Sequence, residues 1–387
     1  MNNSAVSLLW VGIGGYGEVL LNEIFRSGDA HGVTIAAAVE PYPDACRMTG
    51  VLKEKGIPLY ADMEDAFAAG ISADIAVLVT PIAYHTRHIL TALAHGMNVV
   101  CEKPLCGDAR DIDTISVAQD KAGKFVYIGY QWSHSAPIEA LKRDIFSGAF
   151  GKPLSLKTLV LWPRNAAYFK RGTGWAGKLK ASDGTLIYDS IANNAAAHYL
   201  HNMFYVLGDS LTAAAAPVSF DAKLMRANQI ENFDTAHIVC RFENGATADF
   251  IASHAIGTNL NPLFLYRFEK GDVYFSQDEV IPAITDADKY EAGCIKAYMA
   301  DGSVRRYGNP FDGLCDKIYI AAATVRGDAN GYARCTIETA AVHTRFINAL
   351  QENAVIGTFG VGVKTTDDGL TYVEGLYERL IALYNEK

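Results

Sequence analysis

Several absences narrow what this chain can be. No run reaches 18 consecutive apolar residues, which argues against a membrane-spanning helix. The first fifteen residues carry no Lys or Arg ahead of their apolar stretch, so no export signal is expected. No C-x-x-C pair occurs among the seven scattered cysteines (Cys46, Cys101, Cys106, Cys240, Cys294, Cys315, Cys335). An odd, dispersed set reads as reduced thiols in a cytoplasmic protein. Positive charge is short as well. The 34 Lys and Arg against 43 Asp and Glu leave a formal charge of −9, which disfavours a broad basic surface for nucleic acid. No H-E-x-x-H occurs, and no carboxylate or cysteine completes the histidine pairs His85/His88 and His198/His201, so no metal site is read. Internal repeats and low-complexity segments are missing too.

What is present is 387 residues of ordinary globular composition, half of them hydrophobic. That is enough for two domains with their own cores. Residues 1–130 alternate short apolar runs (7–11, 33–39, 75–79, 98–101, 125–128) with helical patterns such as 17–27. Strands recurring after helices predict a parallel sheet covered on both faces. Beyond residue 130 a helix at 138–146 is followed by β-rich stretches at 154–161, 236–242, 246–253, 263–268 and 273–275. Turn signals separate several of them, notably Glu243-Asn244-Gly245 and Lys270-Gly271-Asp272. Residues 131–387 therefore read as an α+β domain with a mostly antiparallel sheet, closed by helices at 336–351 and 368–384.

The first chemical signal is Gly12-Ile13-Gly14-Gly15-Tyr16-Gly17. It matches G-x-G-x-x-G in the required context, after a strand and before a helix, with a carboxylate at Glu40. Gly12 lets the chain turn, Gly14 lets backbone approach a pyrophosphate, and Gly17 permits close helix–strand packing. The helix start offers N–H groups and a positive dipole end to phosphates. Glu40 suits the two adenosine ribose hydroxyls and repels a 2′-phosphate, so NAD is favoured over NADP. The second signal sits at strand ends. Thr80-Pro81 follows one apolar run, and Glu102-Lys103-Pro104 follows the next. Both fall where open parallel sheets bind ligands. Lys103 reads as an acid/base if its amine is desolvated beside a nicotinamide, or otherwise as a solvated strand-end lysine.

These motifs resemble the Gfo/Idh/MocA family of nicotinamide-dependent sugar and polyol oxidoreductases. The likeness lies in the glycine loop, in Thr80-Pro81-x-x-x-His85, in Glu102-Lys103-Pro104, and in the Glu243-Asn244-Gly245 hairpin. It implies an α/β fold in which a Rossmann doubly wound parallel sheet is followed by an α+β domain with an open sheet. The outer face of that open sheet often pairs, so a homodimer or homotetramer is implied. The resemblance also makes Lys103 the catalytic acid/base or substrate-orienting group, and puts Glu102 and His85 near the nicotinamide half of the cofactor.

The third family motif departs from the common G-G…D-x-G-x-H-x-x-D. Here Gly184 leads to Asp189, Asn193, Asn194, His198 and His201. One register puts Asn194 on the aspartate, His198 on the motif histidine and His201 on the second aspartate. The other puts Asp189 on the first aspartate and Asn193 on the histidine. The first is preferred because Asn194 then opens a helix, and Asn194, His198 and His201 share its face at i, i+4 and i+7. His198 reads as a proton donor or acceptor, or as a helix-face histidine with local partners. The segment 162–175 leaves a strand as a long irregular stretch rich in aromatic and basic residues. Arg164, Tyr168 and Trp175 suit a ring of hydroxyls or a carboxylate; a structural loop packed by its own aromatics is the alternative. Gln131, in the stretch joining the domains, is a further candidate for touching cofactor or substrate.

The function expected is hydride transfer between NAD and a secondary hydroxyl or ketone of a sugar, sugar derivative or polyol. Two rivals stand beside it: an oxidation–elimination enzyme with tightly held NAD, and a non-catalytic sensor of nucleotide or sugar.

Overall fold

The apolar stretch ahead of the first glycines forms β1 (Val6–Val11), buried throughout except at Ser7. A strand covered on both faces is what a parallel sheet flanked by helices demands. In the computed structural model, which describes residues 5–172 and 174–386, β1 leads into α1 (Tyr16–Ser27), β2 (Val33–Val39), α2 (Met48–Glu54), β3 (Leu59–Tyr60), α3 (Met63–Ala68), β4 (Ile75–Leu78), α4 (His85–Ala94), β5 (Asn98–Cys101), α5 (Asp111–Ala122) and β6 (Val126–Ile128). The strands form one sheet in the order β3-β2-β1-β4-β5-β6, every pair parallel. The order reverses beside β1, between β2 and β4. Such a switch point opens a crevice at the strands' C-terminal ends. Residues 1–4 and residue 173 (within 162–175) lie outside the described residues, and so does Lys387.

A second sheet follows α6 (Ala136–Phe146). Its strands and the helices among them run β7 (Pro153–Leu161), α7 (Ala166–Lys170), α8 (Ala197–Val206), β8 (Ser219–Arg226), β9 (Thr235–Arg241), β10 (Thr247–Ser253), β11 (Leu260–Phe268), β12 (Gly271–Ser276), β13 (Ile295–Met299) and β14 (Val304–Gly308). After α9 (Asp316–Arg326) and α10 (Ile337–Asn353), β15 (Ile356–Thr358) joins the same sheet's edge. The chain ends with the hairpin β16 (Val363–Thr365) and β17 (Thr371–Val373), then α11 (Leu376–Asn385). The nine-stranded order is β14-β13-β12-β11-β7-β10-β9-β8-β15. It is antiparallel except at β7/β10 and β8/β15.

Three details differ from the sequence reading. First, two units divide the chain, one holding the residues up to His134 together with Gly313–Ala341 and the other Ser135–Asp312 with the residues from Val342. Residues 131–387 are thus not one block. The stretch carrying α9 returns to the parallel sheet, where Cys315, Ile318, Ile320 and Ala321 share a core with Trp10, Leu20 and Val100. Second, 368–384 is not one helix. Thr371-Tyr372-Val373 pairs in a hairpin as β-branched and aromatic residues favour, and Gly375 turns left-handed (φ 68°) before α11 starts. Third, Asn194 does not open the helix of the third motif. A π-turn spans Ile191–Ala195, Ser190 caps it by accepting the Asn193 N–H at 3.2 Å, and α8 starts afresh at Ala197.

Candidate active site

The glycine loop shows a division of labour among its glycines. Gly12 has φ 94°, and a Cβ there would lie 2.5 Å from Val79 O. A Cβ on Gly17 would overlap the Gly12 carbonyl oxygen. Gly15, in contrast, has φ 56° and open space where its Cβ would be, and no side chain caps α1 there. Glu40 lies at the end of β2 with its carboxylate on this loop, accepting Ile13 N–H at 3.2 Å through Oε2 and Tyr42 N–H at 3.2 Å through Oε1. A bare helix start, an uncovered glycine and a carboxylate one strand away form a cradle that fits a dinucleotide. Cys46 was not singled out from the sequence, yet its Sγ would be 3.2 Å from a Cβ on Gly14.

Thr80-Pro81 and Glu102-Lys103-Pro104 follow β4 and β5, two adjacent strands, and a buried histidine ties them together. His85 Nε2 is 2.9 Å from Thr80 O and Nδ1 is 2.7 Å from Pro104 O. Burial pulls this imidazole below its ordinary pKa, and the two carbonyls oppose that only in part. A neutral imidazole carries a single N–H, so His85 donates to one of these carbonyls and, only 1 % exposed, braces the two turns from inside. Thr80 Oγ1 lies 3.2 Å from His88 Nδ1. The Lys103–Pro104 bond is cis, and Lys103 is half-buried.

Glu102 is also internal. Only 7 % exposed, it forms an ion pair with Lys317 of α9, itself 2 % exposed. Burial lowers the Lys317 pKa, but the Glu102 carboxylate outweighs it and holds the ammonium above an ordinary lysine. The Lys317 Nζ also stands 5.2 Å from the Tyr16 ring centroid. The second Glu102 oxygen accepts the Lys103 N–H at 3.3 Å. Lys317 escaped the sequence reading because nothing local marks it. Only the fold brings α9 beneath the turn after β5. Gln131, expected to touch cofactor or substrate, is half-buried and opens a short 3-10 turn (Gln131–His134) after β6.

In the second unit the residues of the third motif separate. Asp189 accepts Gly177 N–H at 2.5 Å, and Asn193 donates to Ile187 O at 3.0 Å, so the alternative register uses both for local structure. Asn194 and His198 are half-buried. His201 is not on a shared open face with them. It is 1 % exposed, with its ring 6.1 Å from Tyr205 and 6.2 Å from His343. The π-turn ends and α8 starts afresh between Asn194 and His198, which takes Asn194 out of the helix phase, while His201, still three residues from His198 on α8, is packed away against Tyr205 and His343.

The 162–175 segment orders itself around Tyr168. Asn165 caps α7 by accepting the Tyr168 N–H at 3.2 Å. The Arg164 and Arg171 guanidinium carbons lie 5.0 and 3.6 Å from the Tyr168 ring, and Arg171 is 4.7 Å from the Trp175 ring. Burial, then Asp189, raises the Tyr168 phenol pKa. His254, just past β10, donates through Nδ1 to Trp162 O at 2.7 Å. Burial pushes it down to about 3. Arg171 and His254 were not singled out from the sequence, although a histidine directly after the apolar run 246–253 was open to notice.

A parallel sheet with its switch point at a glycine loop, a carboxylate after β2 and a lysine after β5 define a dinucleotide-binding protein. Family models match the chain twice: the oxidoreductase family with an NAD-binding Rossmann fold over residues 6–130, and the GFO/IDH/MocA C-terminal domain over residues 138–272. The chain belongs to the Gfo/Idh/MocA oxidoreductase family, and its first unit carries that family's NAD-binding Rossmann domain. The inositol 2-dehydrogenase of Leifsonia xyli is 30% identical over 151 residues, 38% of this chain and 44% of that protein. The D-apiose dehydrogenase of Rhizobium rhizogenes is 26% identical over 271 residues, 68% of this chain and 72% of that protein. The chain thus spans less than half the length of the first of these relatives. The WlbA dehydrogenase of Bordetella pertussis, solved with NADH and UDP-GlcNAcA, shares the fold with a TM-score of 0.70 at 20% identity, over 90% of this chain and 96% of that one. Among the described residues, no helix is long and apolar enough to cross a membrane.

Proposed function

We propose that the protein is an NAD-dependent oxidoreductase that moves a hydride between the nicotinamide and a secondary hydroxyl or ketone of a sugar, sugar derivative or polyol. The observation that carries this reading is the meeting of three motifs at one sheet edge. The glycine loop, Thr80-Pro81 and Lys103 follow β1, β4 and β5, which are neighbours in the parallel sheet. Relatives named as inositol and apiose dehydrogenases support the substrate class.

The nicotinamide supplies the hydride acceptor or donor when bound. Gly12, Ile13, Gly14, Gly15, Tyr16 and Gly17 hold the pyrophosphate, Glu40 holds the ribose hydroxyls, and Thr80, Pro81 and Gln131 flank the other half. Lys103 Nζ takes or returns the proton of the reacting hydroxyl. His198 assists as a second proton carrier, Asn194 orients the substrate through its amide, and Arg164, Tyr168 and Trp175 grip it. Seven free thiols fit a reducing, cytoplasmic setting, and the nine-stranded sheet suits pairing into a homodimer or homotetramer.

The test is a panel of polyols, aldoses and inositols with NAD and NADP, following absorbance of the reduced nicotinamide. Lys103→Ala is expected to cut turnover about 10²- to 10⁴-fold while NAD affinity stays within about twofold. Wild-type turnover in that variant removes Lys103 from its role. Turnover with no net NADH and retained NAD assigns the oxidation–elimination reaction instead.

A further inference from the structure

β7 and β10 run parallel, so the residues that leave them, Trp162–Arg164 numbered 162–164 on one and His254 on the other, share one edge of the second sheet. Arg164 N–H donates to His254 O at 3.3 Å. From that edge rings and guanidiniums alternate: Trp162, Arg164, Tyr168, Arg171, Trp175. The Arg164 carbon is 5.5 Å from the Trp162 ring, and the remaining spacings are those given above. Aromatic faces stabilise the cations but do not neutralise them.

Charge accounting is what makes this ladder unusual. Among the described residues, neither arginine has a carboxylate partner. Arg164 Nη1 donates to Pro163 O at 3.1 Å, and Arg171 Nη1 donates to Tyr168 O at 2.6 Å. Arg164 Nε is buried with no acceptor among the described residues. A guanidinium presents five donors in a rigid fork, and a buried donor without a partner signals an absent acceptor. The neighbouring acid, Asp189, accepts Gly177 N–H through Oδ2 and keeps its charge, which acts on Tyr168, but among the described residues it forms no ion pair with either arginine. Beside the two cations, His254 has its proton on Nδ1, which turns Nε2 into an acceptor.

We infer that the ladder recognises an anionic group on the substrate, a carboxylate or a phosphate, so the substrate is a negatively charged sugar or polyol derivative. Arg164 and Arg171 hold the anion, Tyr168 and Trp175 flank it, and His254 Nε2 accepts from an adjacent hydroxyl. The assignment rests on the functional reading above only in calling the ligand a substrate.

Calorimetric titration of the full chain, with NAD present, tests this. The probes are D-glucuronate, D-gluconate and glucose phosphate, each beside D-glucose, with myo-inositol as a further uncharged ligand. At least one anion is expected to bind about tenfold or more tightly than the uncharged parent, and less tightly as salt rises. Carboxylates binding alone, or phosphates alone, identifies the group. R164Q and R171Q are each expected to weaken the anion about 10- to 100-fold without changing NAD affinity. R164K and R171K keep the charge and lose the fork, so a smaller loss is expected from them. Melting curves for all four variants separate misfolding from lost recognition. The inference is overturned if no anion outbinds its parent, or if both glutamine variants bind anions like wild type. Anion binding without nicotinamide reduction keeps the recognition and removes the dehydrogenase reading. Oxidation of uncharged polyols, with anions ignored, does the reverse.

Discussion

Lys317 and Glu102 show how much one buried contact carries. Two ions withdrawn from water are tolerable only as a pair, and deleting one member of a buried pair costs about 3–5 kcal/mol. Lys317→Met and Glu102→Gln are each expected to lose stability in that range. The double variant is expected to lose less than the sum of the two, and urea unfolding of the four proteins measures the coupling. At the same scale stands Glu40, proposed above to hold the ribose hydroxyls. Glu40→Arg is expected to move the NADP-to-NAD affinity ratio upward by about tenfold or more, because a repulsive carboxylate becomes a phosphate partner; fluorescence titration with both nucleotides reads it. The sequence displayed Glu40 and Lys103 because each stands at a fixed offset from a motif. It concealed Lys317, whose partner lies more than two hundred residues earlier, and it gave no sign that Glu102 and His85 are buried and braced from within.

Elements were legible where their period was clear. β1, β2, β4, β5 and β6 follow from apolar runs and glycine punctuation, and the β-rich stretches read in the second unit sit within a few residues of β7, β9, β10, β11 and β12. The two-residue β3, the little-buried β8 and β14 and the short β13 and β15 had no comparable apolar run to announce them. The misreadings have local causes. A π-turn has no period of its own, so the phase linking Asn194 to His201 was invisible, and 368–384 hid a hairpin inside an apolar stretch long enough for a helix. The turn before α1 offers a sharp contrast. Gly15→Ala meets no atoms but must hold φ 56°; it is expected to cost only about 1–2 kcal/mol while weakening NAD more than tenfold by filling the cradle. Gly17→Ala drives a Cβ into the Gly12 carbonyl, so it is expected to lose both NAD binding and several degrees of melting temperature. Thermal melts with and without NAD distinguish the two.

Across the whole molecule, buried histidines link stability to acidity. Burial holds His88 at about 4 and both His134 and His254 at about 3, against an ordinary 6.5. Between pH 6.5 and about 4 the unfolded chain therefore takes up protons that the native chain refuses. Their contribution is complete above 6.5 and is lost as pH falls, at about 1.4 kcal/mol per pH unit for each histidine. Unfolding midpoints followed from neutral pH to about 4.5 are expected to drop along this slope, and His254→Gln is expected to make it shallower.

The return of α9 to the parallel sheet has a consequence for how the protein is born. A ribosome that has released residues up to His134 must still make roughly 180 more before the helix that finishes the nucleotide-binding unit emerges. Throughout that interval, the hydrophobic bed awaiting Ile318 and Ala321 stands bare. The nascent half-domain is thus a natural client for chaperones, and a fragment ending at residue 134 should aggregate where the intact chain does not.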